Sequence, residues 1–294
     1  MPDLTGKTAF VTGAARGIGA ATAERLHARG ANVALVGLEP ERLQANAARL
    51  GERAIALEAD VTDLAALEGC VAQTVERFGA IDIAVANAGV SFTGTLASAP
   101  VEQVERTLAV NLLGVWRTDR AVVGEIIRSR GYLLNIASLS AISHAPMMGP
   151  YTTAKAGVEA LSDALRIELA AHGAAVGCAY FGFLDTDLVK AGFAQPSAQG
   201  LKERLPGFMA KPAPLSIAVD AIERGVFKRS ARVWAPRWIG PMLLLRGLLQ
   251  PLTERQALAD MDALRESVLR AESSTEAEQM DPVLGVAASV ARPR

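Results

Sequence analysis

Short stretches that are apolar at nearly every position alternate along this chain with longer stretches of helical periodicity. TAFVT (8–12), NVALVG (32–37), RAIALEA (53–59), DIAVAN (82–87), YLLNIAS (132–138) and AVGCAYF (175–181) read as strands, and ARVWAP (231–236) adds a seventh. The intervals carry helix formers, as in GIGAATAERLHARG and PERLQANAARLG, the latter stopped at Gly51. Strands apolar on both faces need cover on both faces, the condition of a parallel sheet joined by helices. The crossovers are expected to be right-handed. The pattern predicts an α/β fold, a doubly wound parallel sheet of about seven strands with its ligand crevice at their carboxyl ends.

No internal repeat or long linker divides residues 1–236, which read as one domain. After Pro236 the pattern changes. WIGPMLLLRGLLQPL (238–252) is strongly apolar and is followed by the charged helical pattern LTERQALADMDALRESVLRAE (252–272). Residues 237–272 are therefore expected to form a C-terminal helical extension, and the low-complexity stretch 273–294 a mobile tail. The apolar segment needs burial against the cleft, a partner subunit or a membrane. At 15 residues, with Arg246 and two prolines inside, it falls short of the roughly 20 a spanning helix needs. A protein-facing role is favoured over lipid.

Composition then narrows the function classes. Half the residues are hydrophobic and 21% charged, enough for a sizeable core. A net charge of −1 and the lack of a basic run with interleaved aromatics argue against nucleic acid. Cys70 and Cys178 are too few and too far apart for a disulfide framework or zinc site and fit a reducing compartment. His27, His144 and His172 have no metal-ligand spacing, so no metal is expected. The lead MPDLTGKTAFVTG lacks the apolar core of a signal peptide. A soluble cytoplasmic protein is the expectation.

Two motifs carry chemistry. TGAARGIG (12–19) follows the first strand and opens the first helix. Glycines there let the backbone turn tightly and approach a pyrophosphate, and the helix start offers free N–H groups. YTTAK (151–155) puts a phenol and an ammonium one helical turn apart, with Cβ atoms about 5–6 Å from each other. An ammonium that close is expected to pull the phenol below its usual pKa of about 10 and make it an acid/base near neutral pH.

The GxxxGxG spacing, with the motifs that follow it in order over about residues 5–236, resembles the short-chain dehydrogenase/reductase family and its Rossmann-like fold. Gly13, Arg16, Gly17, Ile18 and Gly19 fall in the family's TGxxxGxG element. Asp60 and Val61 follow the third strand, where the family places an acid against adenine. ANAG (86–89) resembles the family's NNAG and contributes Asn87, Ala88 and Gly89, with Ala86 replacing the first Asn. Asn111, Ser138, Tyr151 and Lys155 take the places of the catalytic residues, Ser138 lying 13 positions before Tyr151.

The resemblance implies an NAD(P)-dependent oxidoreductase interconverting a ketone and a secondary alcohol. Tyr151 would exchange the proton, and Lys155 would lower its pKa and bond the nicotinamide ribose. Ser138 would donate to the carbonyl oxygen, and Asn111 would hold a water linking Lys155 to solvent. Read alone, Asn111 is better taken as a polar helix residue bonding the backbone. The other reading of the whole is a catalytically silent nucleotide-binding sensor or scaffold. Its usual sign, loss of Tyr or Lys, is missing from this chain.

Two departures from the family pattern matter. Phe181 replaces the proline after the sixth strand, so a looser or shifted loop is expected. Leu184 and Thr186, implied to bond the nicotinamide carboxamide, remain in register. At the end of the second strand Gly37 and Leu38 stand where NAD enzymes carry Asp and NADP enzymes commonly Arg. Arg16 could reach a 2′-phosphate, while Glu39 argues the other way. The choice stays open, narrowly toward NADP over NAD. Substrate contacts are expected from Ser91, Phe92, residues 138–150 with Ala141, Ile142, Met147 and Met148, and from Phe183, Phe193 and Phe208. They imply a bulky hydrophobic ketone or alcohol. The family's habit of pairing the helices around Asn111 and after Tyr151 implies a homodimer or homotetramer.

Overall fold

The structure is a computed structural model that describes residues 3–194 and 211–259, with positions 207, 261, 265, 266, 268 and 269. The tail expected at 273–294 and Phe208 lie outside the described residues. In chain order the elements of the first half are β1 (Thr8–Thr12), α1 (Gly17–Ala28), β2 (Asn32–Gly37), α2 (Pro40–Leu50), β3 (Ala54–Glu58) and α3 (Leu64–Phe78). Next come β4 (Ile83–Ala86), α4 (Val101–Leu108), a π-helical turn (Ala109–Leu113), α5 (Gly114–Arg128) and β5 (Tyr132–Ile136). A 3₁₀ turn (Leu139–Ala141) leads to α6 (Gly149–Ala170), β6 (Ala175–Phe181) and α7 (Asp187–Ala194). The chain closes with α8 (Leu215–Lys228), β7 (Arg232–Ala235) and α9 (Ile239–Ala259).

The seven strands pair in parallel in the order β3-β2-β1-β4-β5-β6-β7. The winding reverses between β1 and β4, which opens the crevice at their carboxyl ends. Each strand lies inside the run that predicted it. Central strands β1 and β5 are buried at every position because helices cover both faces. Edge strand β7 instead alternates, burying Val233 and Ala235 while Arg232 and Trp234 face solvent.

One apolar cluster fills the α1 and α8 side of the sheet and a second the α3 and α5 side. A third lies where β5, β6 and α6 meet α9: Trp238, Ile239, Met242 and Leu243 pack against Leu139, Ala141, Ile142, Val158, Cys178 and Tyr180. The apolar and charged stretches after Pro236 join in α9, which runs through Pro251. Its outer face leaves Leu244, Leu248 and Leu252 exposed. No helix among the described residues is long and apolar enough to cross a membrane.

Candidate active site

The turn after β1 is shaped by what its residues lack. Gly13 and Gly17 hold φ of +64° and +58°, a region strained for L side chains. A Cβ on Gly19 would sit 2.3 Å from the Gly13 carbonyl oxygen, and one on Gly13 would sit 2.9 Å from the Asn87 amide nitrogen. Asn87, just past β4, seals the turn. Its side-chain amide donates to the carbonyls of Thr12 (3.0 Å) and Gly13 (3.3 Å), while the backbone N–H groups of Asn87 and Ala88 donate to the Thr12 hydroxyl. Gly13, Arg16, Gly17 and Ile18 line the crevice, whereas Gly19 packs beneath it. A turn this close to the backbone, heading the first turn of α1, fits a pyrophosphate.

At the far end, Gly37 has room: a Cβ there would meet nothing nearer than 3.8 Å. Leu38 is largely exposed beside it. The Glu39 carboxylate pairs with Arg16 Nε at 3.1 Å and Arg42 Nη1 at 3.0 Å. Asp60 accepts from the Thr62 N–H at 2.8 Å, which fixes the turn carrying Val61. Both line the crevice.

Ser138, Tyr151 and Lys155 meet at the other end. The Ser138 hydroxyl accepts from the Ser140 N–H at 3.1 Å and lies near enough to the Tyr151 hydroxyl to act on its pKa. Lys155 Nζ donates to the Ile136 carbonyl at 2.7 Å and stands 5.8 Å from the Tyr151 ring centre. Burial lowers the Lys155 pKa to about 8. Burial raises that of Tyr151, and Ser138 acts against it. This corrects the expected downward pull: desolvation of the buried phenol is the largest effect on it.

Asn111 is fully buried in the π-helical turn. Its amide nitrogen donates to the Val90 carbonyl (2.7 Å) and its oxygen accepts from the Val90 N–H (2.8 Å). Both ends of the side chain thus hold the backbone just past Gly89. A Cβ on Gly89 would lie 2.8 Å from that amide oxygen. Behind these groups, buried Asp119 accepts from Asn135 Nδ2 at 2.8 Å, and burial pushes its pKa up to about 8.

After β6 the loop is pinned. Leu184 bridges to Ala213, with the Asp185 N–H donating to the Ala213 carbonyl at 2.9 Å and the Ala213 N–H to the Phe183 carbonyl at 2.8 Å. Phe181 packs into the core where the proline was expected, and the Thr186 hydroxyl accepts from the Val189 N–H at the start of α7. Backbone pairing replaces the fixed φ of proline. The crevice encloses about 380 Å³, and Ser91, Met148, Phe183, Leu184 and Thr186 line it. Phe92, Ala141 and Ile142 do not: they are buried in the core. Met147 caps the carboxyl end of its turn at φ +64°, its carbonyl accepting from the Gly94 N–H. The Phe193 side chain lies outside the described residues. Leu188 and Val189, on the helix after Phe183, line the crevice too, and sequence reasoning missed Thr93, Arg106 and Val110, which also line it. They fall between motifs, and only the folded chain brings them together.

A glycine turn shaped for a pyrophosphate, with serine, tyrosine and lysine at the far end of one crevice, defines a dinucleotide-dependent oxidoreductase. Residues 7–197 match the family model for short chain dehydrogenase, and the chain belongs to that family. It is 34% identical over 231 residues to sorbitol dehydrogenase of Cereibacter sphaeroides, covering 76% of this chain and 90% of the relative. It is also 34% identical over 224 residues to L-rhamnose 1-dehydrogenase (NAD(P)(+)) of Sphingomonas sp. strain SKA58, covering 74% and 88%. Among solved structures it resembles a protein of Agrobacterium tumefaciens assigned as a gluconate dehydrogenase. That match has a TM-score of 0.69 and 27% identity and covers 79% of this chain and 95% of the other. The chain is an NAD(P)-dependent enzyme acting on CH–OH and C=O groups of small molecules.

Proposed function

We propose that this enzyme interconverts a bulky hydrophobic ketone and its secondary alcohol, with Tyr151 as the acid/base. The observation that carries this is the convergence of Ser138, Tyr151 and Lys155, the ammonium 5.8 Å from the phenol ring, on one largely apolar crevice. A dinucleotide held in this crevice would supply the hydride chemistry at the carbinol carbon. Tyr151 takes the hydroxyl proton in oxidation or returns it in reduction. Ser138 donates to the substrate oxygen as charge develops on it. Lys155, whose Nζ uses one donor on Ile136, keeps others for the nicotinamide ribose and for the phenolate. Asn111 fixes Val90 by its side chain, so the water assigned to it rests on the backbone of the π-helical turn, where the regular helix bonding is broken.

Thr186 and the backbone near Leu184 hold the carboxamide, and Gly13, Arg16, Gly17, Ile18, Gly37, Leu38, Asp60, Val61, Asn87, Ala88 and Gly89 surround the rest of the dinucleotide. NADP is narrowly preferred over NAD. Position 37 lacks a carboxylate, and Arg16 and Arg42 bring two cations against the single charge of Glu39. The enzyme works in the cytoplasm as a homodimer or homotetramer; exposed Leu113, Trp116 and Ile167 on the pairing helices support that assembly. A panel of ketones and alcohols, each with both cofactors and followed at the nicotinamide absorbance, tests the reading. Turnover of apolar secondary alcohols supports it; turnover confined to polyols overturns the substrate class.

A further inference from the structure

α9 touches both pieces of chain that present the reacting side chains. Glu159 lies one turn beyond Lys155 on α6 and is almost fully buried. Its Oε1 accepts from the Tyr180 hydroxyl at 2.8 Å and from Arg246 Nη1 of α9 at 2.6 Å. One turn further along α9, Gln250 Oε1 accepts from the backbone N–H of His144 at 3.0 Å. His144 sits in the loop between Ser138 and Tyr151. The Gln250 amide is oriented for this by donating Nε2 to Glu254 at 2.9 Å. One turn before Arg246, Met242 and Leu243 pack in one cluster with Leu139, Ala141 and Ile142, which closely follow Ser138.

We infer that α9 is a clasp on the substrate side of the enzyme, with Arg246 and Gln250 as positioning residues. Arg246 acts through Glu159 on the catalytic helix, and Gln250 acts through His144 on the loop. Together they fix the loop against the helix, and so fix the wall that receives the substrate next to Ser138 and Tyr151. None of these contacts reaches the glycine turn or the Glu39 cluster. The clasp therefore bears on substrate affinity and leaves the dinucleotide alone. Arg246, the one charged residue in the apolar stretch 238–252, supplies the counter-charge that a buried carboxylate on α6 needs.

The inference rests on the proposed alcohol–ketone reaction for its kinetic readout, and amide exchange supplies a readout that does not. Removing α9 outright would bare Leu139, Val158 and Tyr180, so the test uses point variants of the full chain. Arg246→Met should speed amide exchange across 138–148 by about 10-fold or more while exchange in 12–19 stays unchanged. On a substrate from the panel it should raise KM by about 10-fold with kcat and dinucleotide Kd within about 2-fold. Arg246→Lys should restore much of the loss. Glu159→Gln combined with Arg246→Met should restore part of it, because a neutral amide needs no counter-charge. Gln250→Ala, a milder change at the surface, should release the His144 amide and raise KM by a smaller factor. Unchanged exchange at 138–148 in both single variants overturns the clasp, as does a loss of dinucleotide affinity equal to the loss of substrate affinity. Absence of turnover on the whole panel would count against the reaction, while the exchange pattern would still decide the clasp.

Discussion

Around β1, β2 and α1 the crevice is made by leaving side chains out: Gly13 and Gly19 meet backbone where a Cβ would go, and Gly37 ends its strand bare. Around β5, β6 and α6 it is made by burying polar side chains against one another: Lys155 on a carbonyl, Asn111 on Val90, Asn135 on Asp119, Tyr180 on Glu159. The first half offers a ligand shape and backbone N–H groups. The second changes protonation states, because desolvation there moves the pKa of Lys155, Tyr151 and Asp119 away from water values. Where Gly13 and Gly19 meet backbone, a surface of absent side chains tolerates nothing larger, while at Gly37 it leaves room. A surface of buried polar groups tolerates size but not loss of a partner.

The largest effect should separate the halves outright. Tyr151→Phe should lower kcat by about 10³-fold or more, as expected for loss of the acid/base, while dinucleotide Kd stays near wild type. Lys155→Met should lower both, since its ammonium serves phenol and ribose together. Wild-type kcat in the Phe variant, measured on a good substrate, removes the assignment. Gly19→Ala is the mirror experiment. Its methyl, 2.3 Å from the Gly13 oxygen, must push the turn open, and dinucleotide affinity should fall by about 100-fold, read by fluorescence titration. If the variant binds normally, the turn is less tight than its geometry indicates.

Gly37→Asp sharpens the comparison, because it adds a side chain where there is room for one. The carboxylate would face the adenosine ribose and shift preference toward NAD by roughly 1–3 kcal/mol. Equal ratios of kcat/KM for the two cofactors before and after would mean position 37 points elsewhere. The last test belongs to the second half and reads stability instead of binding. With its pKa raised to about 8 from an ordinary 3.8, Asp119 keeps its proton in the folded chain where the unfolded chain has lost it. Its contribution to stability is complete below about pH 4 and is lost as pH rises to about 8. Asp119→Asn mimics the protonated acid, so urea midpoints should fall less between pH 5 and 8 than in the wild type. Parallel curves for the two proteins would show that Asp119 ionises normally.

The sequence exposes these halves unequally. Every strand was readable, since a parallel strand covered on both sides must be apolar throughout, and the glycine turn was readable because only glycine satisfies it. The YxxxK pair was readable as spacing, but its electrostatics were not, because the shift on Tyr151 depends on how much water the fold removes. The direction in which the segment after Pro236 would bury was equally hidden. Arg246 and Glu159 are 87 positions apart, and nothing local links them. Ala141 and Ile142 looked like pocket residues because an apolar loop beside a catalytic serine can face either way; α9 supplies the packing that turns them inward.

The π-helical turn at Ala109–Leu113 has a consequence for how this gene can change. An i→i+5 turn accommodates one residue more than an α-helix, so the faces before and after it are out of phase by about 100°. Residues ahead of it pack toward α6, while those behind it bury Asp119 and Val122 against the sheet. Most substitutions preserve that phase. A one-residue deletion between 109 and 113 resets it, and then either Asn111 leaves Val90 or Asp119 leaves Asn135. A deletion series across these five positions, scored for soluble yield and dinucleotide binding beside alanine substitutions at Val110, Asn111, Leu112 and Leu113, should find the alanines outside Asn111 far better tolerated. The helix is therefore constrained by its reading frame more than by its composition.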